Sequence, residues 1–387
     1  MATAAHAPEP RWGLGRLMGS RERRAAVSAP YRRILAIVII LNLFGLLMVL
    51  SASSVTSLDV YGNSWYQVLR QAVWFVLSLG ALWFTQRTDY ERYAAHIGKL
   101  VVAAWALLLL PLMPIVGISV NGSSRWFGFG VLRIQPSEIA KLVLVVFTAD
   151  LLTKRANRIN DWQQTLAPIM GVFVCFALLL MLEPNLGTTI IIAAVLMVMM
   201  FVGGVGTVPL LGLLGVLGAA AAFFAFSVPF RFRRLMAYGD PWKDAQGTGY
   251  QALQSRVGLA NGGILGLGLG SSRVKWGYLP EADTDFILAI IGEELGLIGC
   301  MVIVGLLLAF GYLGVRVALR APDRMGMLLA TGITAWIMLQ AFVNIGAVVG
   351  AIPITGVPLP FVSAGGSSLI FTMAGVGMLL NVAKRTS

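Results

Sequence analysis

Charge is scarce in this sequence. Of its 387 residues, 12% are Asp, Glu, Lys or Arg, roughly half the share found in soluble domains. Histidine is scarcer. His6 and His96 stand alone and far apart, which speaks against a histidine-based metal site. Cys175 and Cys300 both lie inside apolar runs, so no disulfide framework is expected. Neither G-x-x-x-x-G-K-[ST] nor G-x-S-x-G occurs, so ATP-driven transport and serine hydrolysis have no support. The glycine-rich run Gly262–Gly270 does not open a soluble βα unit and is a weak phosphate-loop signal.

What the chain has in abundance is apolar surface. It is 58% hydrophobic, with a mean hydropathy of +0.82, the composition of a polytopic membrane protein. Apolar runs of spanning length predict helices near Ile34–Ser53, Val68–Gln86, Ile97–Val116, Ser137–Thr153, Leu166–Leu182, Thr188–Val202, Val208–Phe226, Asp285–Val317, Met325–Val348 and Ser367–Val382. The expected fold is all-α: a bundle of ten transmembrane helices across 34–387, behind a disordered cytoplasmic tail, 1–33. No A-x-A-like cleavage site follows the first apolar run, which therefore reads as a retained helix.

The net charge of +12 orients the bundle and calls for no nucleic acid. Basic clusters follow the second, fourth, eighth and tenth helices, while the loops after the first and ninth carry no Lys or Arg. The positive-inside rule then puts both termini in the cytoplasm. One segment breaks the rule. The long loop between helices seven and eight, 227–284, should lie outside, yet it holds Arg231, Arg233, Arg234, Lys243, Arg256, Arg273 and Lys275. Its ordered turn chemistry and its charge suit a surface that meets an anion.

Five acids fall between Tyr278 and Gly296, where this loop becomes an apolar helix: Glu281, Asp283, Asp285, Glu293 and Glu294. Asp283 or Thr284 can cap the helix, but Glu293 and Glu294 lie too far in for capping. Carboxylates at the mouth of a membrane helix are costly and point to function. Glu138 and Lys141, three apart on the fourth helix, share a face and can pair inside the bundle. A third polar loop, Pro353 to Ser368, reads as irregular backbone lining a cavity. Carboxylates beside external cations suit glycosyl transfer from a lipid pyrophosphate. The leaving group departs without an acid if cations neutralise it, and one general base serves the attacking hydroxyl. A flippase for a lipid-linked substrate and a noncatalytic scaffold remain alternative readings.

Several motifs together resemble the SEDS family (shape, elongation, division and sporulation). They are Ser123-Ser-Arg-Trp126, Gln135-Pro-Ser-Glu138 with Lys141, Glu183-Pro-Asn-Leu-Gly-Thr188, Gly247-Thr-Gly-Tyr-Gln251, Leu279-Pro-Glu-Ala-Asp-Thr-Asp-Phe-Ile287 and Pro358-Leu-Pro-Phe-Val-Ser-Ala-Gly-Gly366. Asp240-Pro-Trp242 and Gly292-Glu-Glu-Leu-Gly296 are closer to the division members than to the elongation members. The resemblance implies an inverting glycosyltransferase of the cytoplasmic membrane. It would polymerise lipid II with undecaprenyl pyrophosphate as leaving group, beside a class B penicillin-binding protein transpeptidase (FtsI-like) and other division proteins. It implies Asp285 as the catalytic carboxylate, acting as general base or as ligand of a divalent cation, magnesium or manganese. No nucleotide, haem or flavin is expected. Glu138, Lys141, Asp283 and Glu293 are expected to support the site. Arg125, Trp126, Arg234, Lys275, Gln251 and Ser363 are expected to bind substrate. Two departures stand out: Glu183 and Asn185 replace the family's usual Gln and Asp, and Asp283 stands where a His is frequent.

Overall fold

The computed structural model describes residues 20–113, 116–120, 123–129 and 132–386. Backbone N–H and C=O groups inside a bilayer must bond within their own segment, and the apolar runs accordingly form helices. The first two are α1 (Ser20–Tyr61) and α2 (Tyr66–Arg87), then the short α3 (Tyr90–Ala95) leads into α4 (Ile97–Leu109). Next come α5 (Pro136–Lys154), α6 (Ala167–Leu182), α7 (Leu186–Val202) and α8 (Thr207–Ser227). They are followed by α9 (Pro229–Gly239), α10 (Tyr250–Gly262), α11 (Ile287–Leu319), α12 (Arg324–Val349) and α13 (Gly366–Arg385). Among the described residues seven helices are long and apolar enough to cross a membrane, and α4 and α7 are shorter apolar helices. The protein is thus a multi-pass membrane protein. Helix α5 occupies another expected position, but Glu138, Lys141, Asp150 and Lys154 dilute its apolar run.

The expected tail, 1–33, needs correction. Residues 1–19 lie outside the described residues, but α1 already begins at Ser20. Arg and Ala are good helix formers, so the helix runs back past the apolar stretch without a break at Pro30.

Two loops hold secondary structure that the sequence reading did not place. The loop before α5 holds a three-stranded antiparallel sheet, β1 (Gly117–Val120), β2 (Ser123–Phe129) and β3 (Leu132–Ile134), in that order. The loop 227–284 contains α9 and α10. Ser255 Oγ, on α10, donates to the Val348 carbonyl at 2.8 Å and ties this segment to the end of α12. Burial runs from one extreme to the other. The most apolar window of α13 is 83% buried and that of α8 only 11%, so α13 is the core of the bundle and α8 its lipid-facing edge.

Helix α11 is 33 residues long, about 50 Å, well beyond a hydrocarbon core of about 30 Å. It breaks at Gly296, where φ is 68° and ψ −166°. A Cβ there would lie 2.3 Å from the Ile264 carbonyl oxygen, so only glycine fits. The break frees backbone groups, and the glycine-rich run satisfies them. Leu267 and Gly268 N–H donate to the carbonyls of Glu293 and Glu294, each at 2.9 Å, and Leu297 N–H donates to the Gly263 carbonyl at 2.9 Å. The run Gly262–Gly270 is therefore a backbone brace for a broken membrane helix.

Candidate active site

Asp285 lies just before α11, not within it; Phe286 is the N-cap residue. Its segment is clamped by the loop between α12 and α13. Asn344 Nδ2, on α12, donates to the Asp285 carbonyl at 2.7 Å and to the Val357 carbonyl at 2.8 Å. Ser363 Oγ donates to the Thr284 carbonyl at 2.5 Å and accepts from Leu359 N–H at 2.9 Å. Ala364 N–H donates to the Asp283 carbonyl at 2.9 Å. Three consecutive carbonyls, 283 to 285, are thus held while the Asp285 carboxylate stays available. It faces Gly356, where an added Cβ would sit 3.4 Å from Oδ2. Glu281 and Phe361, in the two strands of this clamp, both adopt positive φ, 59° and 67°, a conformation non-glycine residues hold only where their surroundings impose it.

Electrostatics single out Asp285. Burial pushes its carboxyl up to about 7; Glu281 adds to the rise, the Arg125 and Arg234 guanidiniums oppose it, and Asp283 adds a little more. Burial also raises Asp283, against a hydrogen bond from Gln67 Nε2 at 3.0 Å. Arg234 is itself lowered by burial and partly restored by Asp285. The structure therefore brings together Asp285, Asp283, Arg125 and Arg234 from three separate segments, the stretch before α11, β2 and α9. Arg125 reaches across from β2, with Nε on the Glu183 carbonyl at 3.0 Å and the guanidinium also on the Pro184 carbonyl. Arg234, on α9, lines a cavity with Gln251, Thr248, Tyr238 and Arg256, so Gln251 joins the same region. Trp126 pairs with Ile118 of β1, and Arg125 is the extra residue of the bulge beside it.

Glu138 and Lys141 pair at 2.8 Å, both nearly sealed from solvent. Lys141 Nζ also donates to Gln340 Oε1 at 2.8 Å, and Ser368 Oγ donates to Glu138 Oε2 at 3.0 Å. Gln340 Nε2 passes the chain on to the Pro358 carbonyl at 3.1 Å. The pair thus anchors the loop that clamps Asp285, from below it and without touching the carboxylate.

Three expected site residues are placed otherwise. Lys275 is 5% exposed and pairs with the fully buried Glu294 at 3.1 Å, so it is no open cation for an anionic substrate. Glu293 is also fully buried; Ser272 Oγ and the Val274 N–H donate to it. Eight residues along a helix amount to about 12 Å, and these acids brace the break in α11. Ser363 spends both its donor and acceptor capacity on the clamp. Among the described residues no three His, Cys, Asp or Glu side chains converge on a metal position. Thr284 and Gln67 engage Glu281 and Asp283, so a cation here would draw chiefly on Asp285. That suits a magnesium-type ion carried mainly by substrate phosphates. Sequence reasoning missed Asn344, Gln340 and Gln67. The first two had a signal: each is an isolated amide in an apolar helix, which must find a partner.

The model of the FtsW, RodA and SpoVE family, described as cell cycle proteins, matches residues 31–387. A probable peptidoglycan glycosyltransferase FtsW from Geobacter metallireducens is 39% identical over 352 residues, covering 91% of this chain and 94% of that one. Stage V sporulation protein E of Bacillus subtilis is 39% identical over 357 residues, covering 92% and 98%. Among solved structures, a chain from a work on the coordination of polymerization and crosslinking by a peptidoglycan synthase complex superposes with a TM-score of 0.72. It is 27% identical, with 90% and 96% of the two chains covered. The rod shape determining protein RodA of Thermus thermophilus gives 0.67 at 26% identity, with 91% and 96% covered. With a family model spanning nearly the whole chain and relatives matched over more than nine-tenths of their length, this protein belongs to the FtsW, RodA and SpoVE family.

Proposed function

We propose that this protein is a peptidoglycan glycosyltransferase that polymerises lipid II into glycan strands at the outer face of the cytoplasmic membrane, during division. One observation carries the chemistry: Asp285, a half-buried carboxyl raised to about 7, stands at the mouth of a membrane helix with Arg125 and Arg234 facing it. A base works best with a pKa near the operating pH. Asp285 accepts the proton of the acceptor sugar's 4-hydroxyl. The hydroxyl oxygen forms its bond to the donor's anomeric carbon from the opposite side, and the bond to the pyrophosphate oxygen breaks with inversion. Undecaprenyl pyrophosphate leaves with the electron pair, and Arg125 and Arg234 neutralise its charge. Asp285 would be the residue to hold a magnesium or manganese ion, and such an ion would supply further charge neutralisation for the leaving group.

In this reading ten helices span the membrane, both termini are cytoplasmic, and 227–284 lies outside with the sheet β1–β3. The relatives named FtsW support a division role at the septum. The likeness to a chain of a synthase complex supports a class B penicillin-binding protein as the crosslinking partner. The test is a polymerisation assay of purified protein, partner and lipid II, comparing wild type with Asp285→Asn. Loss of polymer with folding and partner binding intact is expected. Polymerisation that persists would remove Asp285 as base, and flipping without polymerisation in the wild type would favour a transporter.

A further inference from the structure

The turn between α6 and α7 holds a carboxyl group that its surroundings leave unsatisfied. Glu183 is fully buried, and neither of its side-chain oxygens has a hydrogen-bond partner among the described residues. Buried polar groups are almost always paired, and an ionised carboxylate without donors is far costlier to bury than a neutral carboxyl. The charged group acting on it is Arg125. That guanidinium bonds to the main-chain carbonyls of Glu183 and Pro184, not to the carboxylate. The same guanidinium acts on Asp285. One cation therefore stands between two carboxyl groups from distant parts of the chain.

We propose that Glu183 is a positioning residue that works in its neutral, protonated form. Its proton leaves the charge of Arg125 to Asp285 and to the anionic leaving group, and loss of that proton draws the guanidinium back to Glu183. This rests on the reading of Asp285 and Arg125 given above.

Burial raises the Glu183 carboxyl to about 8, with Arg125 opposing, which keeps it neutral at physiological pH. Among the described residues, the surrounding elements bring no rival charge. On α5, Glu138 and Lys141 satisfy each other, and Ser137 Oγ accepts from Asn185 Nδ2 at 3.5 Å. Helix α7 carries no charged side chain. The charge on α4, Lys99, lies in its first turn, whereas Val101 and Val102 pack beside Pro168 at the other end of α6. From the clamp loop, Thr355 packs against Gly187 and is uncharged; its own hydroxyl is buried without a partner.

Two measurements test the proposal. The first is the polymerisation rate of wild type and of Glu183→Gln, each as a ratio between one pH unit above and one below about 8. Ionising the carboxyl should cut the wild-type rate about tenfold across that interval. Glu183→Gln cannot ionise and should show no fall. The same alkaline fall in both proteins overturns the proposal. The second is the protonated-carboxyl infrared band of the wild-type protein in lipid, titrated over the same range, which needs no turnover. The difference between the wild-type band and that of Glu183→Gln isolates the Glu183 component from Asp283 and Asp285, and this component should be present at neutral pH and fade through about 8. If that variant does not fold, Arg125→Gln serves, since removing the opposing charge should shift the fading to higher pH. A band already absent at neutral pH overturns the neutral form whether or not Asp285 is the base.

Discussion

Two acid clusters sit on one short stretch, Asp283–Asp285 and Glu293–Glu294, and they have opposite fates. The second is saturated. Glu294 accepts from Ser51 Oγ, Ser272 N–H and Lys275 Nζ, and Glu293 from Ser272 Oγ and Val274 N–H. The first is held by its backbone, through Asn344, Ser363 and Ala364, while burial and acidic neighbours raise the Asp285 carboxyl and two arginines face it. Satisfied acids hold a broken helix together. An acid whose main chain is clamped and whose carboxyl is left in an adverse field is arranged for chemistry.

The comparison can be broken most sharply with paired substitutions. Asp285→Asn should cost about 10²–10⁴-fold in polymerisation, the usual range for losing a general base, with thermal stability kept or raised. Glu294→Gln should do the reverse. It leaves Lys275 buried without its partner, and breaking one side of a buried pair costs about 3–5 kcal/mol. Thermal unfolding in detergent should show that loss, while the folded fraction still polymerises. Equal activity losses without a stability difference would erase the distinction.

The Glu138–Lys141 pair lies between these cases, since it is saturated yet anchors the clamp loop. Either single neutral substitution should cost about 3–5 kcal/mol, and the exchange Glu138→Lys with Lys141→Glu should recover part of it. An exchange no better than the singles would refute simple pairing. The smallest effect is in the pH dependence. The folded-state pKa of Asp285 is raised above its unfolded value, so its ionised form is disfavoured by folding. Wild-type stability should therefore decline as pH rises from about 4 towards 7, and Asp285→Asn should lack that decline. Activity should rise over the upper part of the same window as the base ionises.

Much of this was legible from residue types in order. The apolar runs predicted the membrane helices within a few residues, except for the ends of α1 and α4, because a bilayer demands internally bonded backbone. The spacing of Glu138 and Lys141 predicted their pair because residues three apart share a helix face. Arg125 and Arg234 stood out because arginines in loops expected outside run against the positive-inside bias. Lys275 stood out by the same rule and is instead buried on Glu294, since charge bias says which side of the membrane a residue occupies and nothing of its partner.

Sequence by itself determined the class of protein, the helix positions and the identity of the exceptional acids, because each depends on local composition or on spacing along one element. Tertiary structure alone decided which acid is satisfied. Ser51 comes from α1, Asn344 from α12, Ser363 from the loop before α13 and Arg125 from a strand before α5. Whether a carboxylate is saturated, clamped or left facing a guanidinium depends on groups from tens to hundreds of residues away, and only the packed bundle sets those distances.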